Sequence, residues 1–184
     1  MTRGQKAIFT VIAVVGGKKS GKTTTIEILI KELTRRGYNV AAIKHIPEPN
    51  FTIDREGKDT WRFAQSGAKT VVGVSSDEIA TIEKVDSSKL TLKEILKRCR
   101  WSDIVFLEGF RELASKDRGI HKIVVVKSAD DVLRAEKNFN PIVAFTGPYL
   151  ASKMKLKAPY VDVLRHPTEI ADLVEKIVGE ERAT

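Results

Sequence analysis

Eight residues from Gly16 to Thr23, G-G-K-K-S-G-K-T, crowd three glycines, three lysines and two hydroxyls into one turn. Lysines this close repel one another, and glycines there cost backbone entropy without packing a core. A polyanion in the turn removes both objections. The spacing is G-x-x-x-x-G-K-[ST], the phosphate-binding loop (P-loop). Glycine backbones let successive N–H groups point at phosphate oxygens. A helix opening at Lys22 adds unpaired N–H groups and about half a positive charge. Lys22 is expected to reach the β- and γ-phosphates, and the Thr23 hydroxyl is a hard oxygen ligand suited to Mg²⁺. Gly16, Gly17, Lys18, Lys19, Ser20, Gly21, Lys22, Thr23 and Thr24 form the expected nucleotide-binding set, with Lys18 and Lys19 equally compatible with solvent.

Such a loop needs an acid on a neighbouring strand to hold Mg²⁺ and its water. The run D-I-V-F-L-E-G-F supplies Glu108 after the apolar stretch Ile104–Leu107, at the strand end that meets a ligand crevice. Asp103 opens the same strand and falls about 16 Å away at about 3.3 Å per residue, so it reads as a solvated turn residue. A third charged patch, Asp54 to Ala68, follows the second strand. Asp54 and Asp59 are candidates for holding Mg²⁺ or orienting water, and Lys58 and Arg62 for contacting phosphate. The alternative is a charged loop entering a helix capped by Asp59 or Thr60. The expected metal set is Thr23, Asp54, Asp59 and Glu108, with Asp59 and Glu108 as the catalytic pair.

The elements that would position these groups are legible from periodicity. Ala7–Val15 reads as a buried strand, and Lys22–Arg36 as a helix with Ile26, Leu29, Ile30 and Leu33 on one face, stopped at Gly37. Val40–Lys44 reads as a second buried strand, and Asp59–Gln65 as a short helix. Thr70–Val74 and Ile79–Val85 read as strands, Leu92–Cys99 as a helix, and Ile104–Leu107, Ile123–Val126 and Ile142–Phe145 as further strands. Pro167–Val178 closes the chain as a helix. Alternating strands and helices predict an α/β P-loop NTPase fold, a mainly parallel sheet with helices on both faces, in one domain over residues 1–184. Antiparallel additions are expected at Ile79–Val85 and around Gly119–Lys127.

The 184 residues are 42% hydrophobic and 30% charged, enough for a core without disulfide or metal staples. One cysteine, Cys99, excludes a disulfide framework within the chain. No signal peptide and no apolar run near 18 residues is seen, so a cytoplasmic protein with no membrane partner is expected. The net charge of +8 is spread among acids except at the loop, and aromatics do not interleave with basic residues, so no nucleic-acid partner is expected. His45, His121 and His166 lack metal spacing, and no N-K-x-D guanine-reading motif occurs. Lys127 and Asp130 follow a strand one residue too far apart, and A-F-T-G-P-Y-L is a second candidate base loop.

The P-loop, Lys44-His45 at the second strand's end, D-x-x-G-K-D-T-W-R with S-G-A, and L-E-G-F together resemble the molybdopterin-guanine dinucleotide biosynthesis protein B family, over most of Ile8 to Arg111. The resemblance implies a dimeric GTP-binding protein that assists a partner guanylyltransferase in attaching GMP to molybdopterin. It places Asp54 and Asp59 beside Mg²⁺ and the γ-phosphate and gives Glu108 the strand-end acid role. The absence of an acceptor lid and of an arginine finger favours a weak GTPase acting as a switch, over a small-molecule kinase transferring the γ-phosphate to a metabolite.

Overall fold

A computed structural model describes residues 9–149 and 155–183, so Ala7 and Ile8 of the first expected strand and Leu150 of the second base loop lie outside the described residues. In chain order the elements are β1 (Thr10–Gly16), α1 (Lys22–Arg35), β2 (Val40–Lys44), α2 (Asp59–Gln65), β3 (Thr70–Val74), β4 (Ile79–Glu83), α3 (Leu92–Leu96), β5 (Ile104–Glu108), α4 (Arg111–Lys116), β6 (His121–Val125), α5 (Ala129–Asn138), β7 (Ile142–Thr146) and α6 (Pro167–Arg182). They fall into two compact units, residues 46–98 and the remainder.

The larger unit is a five-stranded sheet in the order β2-β5-β1-β6-β7 with every pairing parallel. The antiparallel pairing expected around Gly119–Lys127 is therefore absent: β6 runs parallel to both β1 and β7 because α4 and α5 carry the chain back along the sheet. Strand alternation sorts the core. Ile12, Val14, Ile104, Phe106, Ile123 and Val125 join Ile26, Leu29 and Leu33 of α1 and Ile170, Val174 and Val178 of α6 in one cluster. The intervening Ala13, Val15, Val105, Leu107 and Val124 are equally buried, and right-handed crossovers put α4 and α5 over that face. Arg36 ties α1 to α6 through Glu32 (2.8 Å), Asp172 (2.6 Å) and Glu175. Asp103 accepts from the Asn39 backbone N–H at 2.8 Å, pinning the amino ends of β2 and β5.

β2 is an edge strand and not the buried one its composition suggests: with β5 its one neighbour, Ala42 and Lys44 are exposed. The smaller unit holds α2, α3 and the antiparallel pair β3-β4, registered from Thr70 opposite Glu83 to Val74 opposite Ile79. Neither α2 nor α3 buries a residue, and Val71 is the large apolar side chain that the unit does bury.

Candidate functional site

β1 ends at Gly16 and α1 begins at Lys22, so the glycine-lysine turn joins the sheet's central strand to the helix behind it. The turn is tightly built. A Cβ on Gly16 would stand 2.5 Å from the Val125 carbonyl oxygen of the adjacent strand, a distance no side chain tolerates. Gly21, the residue before α1, has φ +104°, and its carbonyl accepts from both the backbone N–H and the Oγ1 of Thr25, each at 2.9 Å. Ser20 Oγ is buried in the loop without a hydrogen-bond partner among the described residues.

Thr23 and Glu108 meet. The Thr23 hydroxyl lies 3.1 Å from both carboxylate oxygens of Glu108, and Lys44 Nζ lies 3.5 Å from Oε1. β5 neighbours both β1 and β2 in register, Val14 opposite Glu108 and Lys44 opposite Glu108, which brings the three side chains to one edge. Gly109 has φ +88°, and a Cβ there would press on the His45 carbonyl oxygen at 3.2 Å. The glycine of L-E-G-F is thus required by the close approach of the β2 terminus. His45 donates its backbone N–H to the Glu108 carbonyl (2.9 Å), and its ring stacks obliquely on Phe110 at 5.6 Å.

Lys22 Nζ donates to the Gly17 carbonyl at 2.7 Å. Burial pushes its ammonium below the ordinary lysine range; Glu108 opposes this, and Lys127 and Lys44 reinforce it. With Lys44 and Lys127 near Lys22 and Glu108 the opposing charge, the loop carries excess positive charge. Lys127, which the spacing argument set aside, also reaches the loop. It follows β6, the other neighbour of β1, and its Nζ donates to the Lys18 carbonyl at 3.2 Å. Its backbone N–H is fixed by Asp131 Oδ2 at 2.9 Å, while Asp131 also pairs with Arg134 at 2.8 Å. The signal was available in its place at the end of the strand beside β1, independent of any motif.

Asp54 and Asp59 belong to the smaller unit. Asp54 Oδ1 accepts from Thr60 Oγ1 (3.0 Å) and the Arg55 N–H (2.8 Å), and its Oδ2 is buried without a hydrogen-bond partner among the described residues. Asp59 opens α2 exposed, near Arg62 at 3.4 Å. Neither Asp59 nor Thr60 caps α2; Lys58 holds that position and no side chain bonds there. Among the described residues no three His, Cys, Asp or Glu side chains form a metal cage, and no helix is long and apolar enough to cross a membrane.

A parallel sheet with a glycine-lysine loop between its central strand and the following helix defines an α/β protein of the P-loop NTPase class. Residues 11–146 match the family described as molybdopterin guanine dinucleotide synthesis protein B, and the chain belongs to that family. Relatives agree. A Methanocaldococcus jannaschii protein described as a molybdopterin-guanine dinucleotide biosynthesis adapter protein is 37% identical over 121 residues, 65% of this chain and 48% of the relative. The chain thus spans about half the length of that relative. The Haemophilus influenzae adapter protein of the same description is 28% identical over 89% of this chain and 86% of its own. A crystal structure of molybdopterin-guanine biosynthesis protein B superposes with a TM-score of 0.69 at 26% identity, covering 91% of this chain and 98% of that one.

Proposed function

We propose that the chain binds GTP with Mg²⁺ at the loop of residues 16–24 and acts as an adapter in attaching GMP to molybdopterin, hydrolysing GTP slowly. The observation that carries the reading is the meeting of Thr23 and Glu108 at the head of α1, beside Lys22. The residues present fit the ligands. Ser20 Oγ is an orphaned polar atom inside the loop, and Gly16 leaves no room for a side chain. A hydroxyl and a carboxylate are hard oxygen donors of the kind Mg²⁺ takes, one or two from protein and the rest from phosphate and water. Bound there, Mg²⁺ would neutralise charge on the β- and γ-oxygens.

Lys22 and the first N–H groups of α1 bind the phosphates in this reading, and Lys44, 3.5 Å from Oε1, helps to orient Glu108. Asp54 and Asp59 are proposed to act on the γ-phosphate side, holding Mg²⁺ or the attacking water. The guanine preference rests on family membership, since no N-K-x-D motif is present. Homodimerisation is supported by the smaller unit's exposed apolar residues, Ile53, Val74 and Ile79 among them, each above 70% exposed. A guanylyltransferase acting on molybdopterin is the proposed partner, in the cytoplasm.

Steady-state turnover with GTP and Mg²⁺, with and without a panel of small acceptors, tests the reading. The expected rate is about 10⁻⁴ to 10⁻² per second, unchanged by any acceptor. Turnover near ten per second with one acceptor, the rate of an ordinary metabolic enzyme, would replace the adapter reading with a kinase.

A further inference from the structure

Opposite the P-loop, where β6 and β7 begin, the carboxyl ends of α4 and α5 border a cleft of about 550 Å³. Lys116, Arg118, Lys137 and Lys157 reach it from three separate segments, and among the described residues Glu136 is its one lining acid. Glu136 is already engaged, accepting the Lys157 backbone N–H at 2.9 Å. Among the described residues none of the four basic side chains forms an ion pair.

A fifth cation stands next to the wall. Lys122 is fully buried, and its Nζ donates to the carbonyls of Asp117 at 2.5 Å and of Asn140 at 2.9 Å. Asn140 itself lines the cleft. Burial pushes the Lys122 ammonium below its ordinary range, with the Asp117 charge opposing. Carbonyl dipoles solvate this ammonium, and among the described residues no carboxylate hydrogen-bonds to it. Its field adds to that of the four side chains at the cleft. Like charges gathered in a concavity repel, and a low-dielectric wall strengthens the repulsion. The carboxyl ends of α4 and α5, each about half a negative charge, and Glu136 offset part of this repulsion, and an anion in the cleft removes the rest.

We infer that this cleft is a second anion site, built for a phosphate group carried by a small molecule. The charge count favours a doubly charged group over a single carboxylate, and Arg118 offers the planar fork that grips phosphate oxygens in pairs. The volume falls in the range of small-molecule pockets and far exceeds a bare phosphate. Phe139 and Pro141 give the remainder of the ligand an apolar wall. The inference does not depend on the nucleotide reading, because the two sites lie at opposite ends of the strands.

Calorimetry with phenyl phosphate and with inorganic phosphate tests it, using the intact chain and Lys22→Ala to silence the P-loop. The expected result is one phenyl phosphate bound per Lys22→Ala chain, at least threefold tighter than inorganic phosphate. Adding Arg118→Glu and Lys137→Glu is expected to weaken it tenfold or more, and adding Lys116→Gln alone by a smaller factor. All three side chains are exposed, so an unchanged melting temperature verifies the fold. Loss of binding in Lys22→Ala itself, affinity indifferent to the charge reversals, or equal affinity for the two probes overturns the proposal.

Discussion

In the larger unit Ile12, Leu29, Phe106, Phe145 and Ile170 are each fully excluded from solvent, whereas in the smaller unit Phe51, Ile53, Phe63, Val72, Val74 and Ile79 stand more than half exposed. The contrast follows from architecture. A parallel sheet between helices buries both faces of each central strand, while a two-stranded ribbon is marginal in water without a cover. The proposed function follows the same division. The phosphate loop, Glu108 and Lys44 are held by strands in register, with positions fixed by the core. Asp54 and Asp59 sit in a segment with little core of its own, which fits the proposal of a loop that a γ-phosphate orders.

The sharpest way to break the comparison is Leu29→Ala, which opens a hole between α1 and the sheet. It should cost about 2 to 5 kcal/mol, read by denaturant unfolding. Equal loss from Val72→Ala would erase the distinction between the units. The exposed side of the contrast sharpens next. Val74→Ser with Ile79→Ser should leave the larger unit's unfolding unchanged but weaken self-association. Covering each such side chain contributes about 1.5 to 3 kcal/mol, visible as a shift to monomer in sedimentation. A dimer that tolerates both changes would mean another surface is used.

At the site, Glu108→Gln removes charge from the proposed Mg²⁺ shell without disturbing β5. A charged hydrogen bond contributes about 1.5 to 3 kcal/mol, so the Mg²⁺ concentration for half-maximal GTP binding should rise tenfold or more, with melting unchanged. Asp59→Asn should slow single-turnover hydrolysis more than it weakens binding, with no stability change, since Asp59 makes no cap. The smallest effect concerns pH. Hydrogen bonds from Arg35 and Arg36 hold the Glu32 carboxyl at about 2, below its ordinary 4.5. A depressed acid stabilises the fold fully above pH 4.5 and loses that contribution as pH falls toward 2. Glu32→Gln should flatten the melting-temperature curve across that window and nowhere else.

Much of this was legible in the residues. Lys22–Arg35, Val40–Lys44, Asp59–Gln65 and Thr70–Val74 appear where periodicity and glycine stops put them, and Glu108 ends β5 beside the loop. Two helices escaped for physical reasons. α4 is six residues long and buries Ala114 alone, too little to show a period. α5 is mostly polar and buries Val132 and Ala135, although Ser128, which accepts the Asp131 N–H at 3.2 Å, marked its start. The exposure of β2 could not be read from V-A-A-I-K, because an edge position is set by strand order and not by composition. Lys127 was hidden by looking for a motif, when its contact with the Lys18 carbonyl depends on strand adjacency.

Calorimetric titration of the chain and of Lys22→Ala with GTP in Mg²⁺ tests the central claim, that the larger unit's loop holds a nucleotide's phosphates. The account predicts one GTP per chain and a loss of about 2 to 4 kcal/mol in the variant, roughly 30- to 1,000-fold in affinity. The same dissociation constant for both proteins would contradict it.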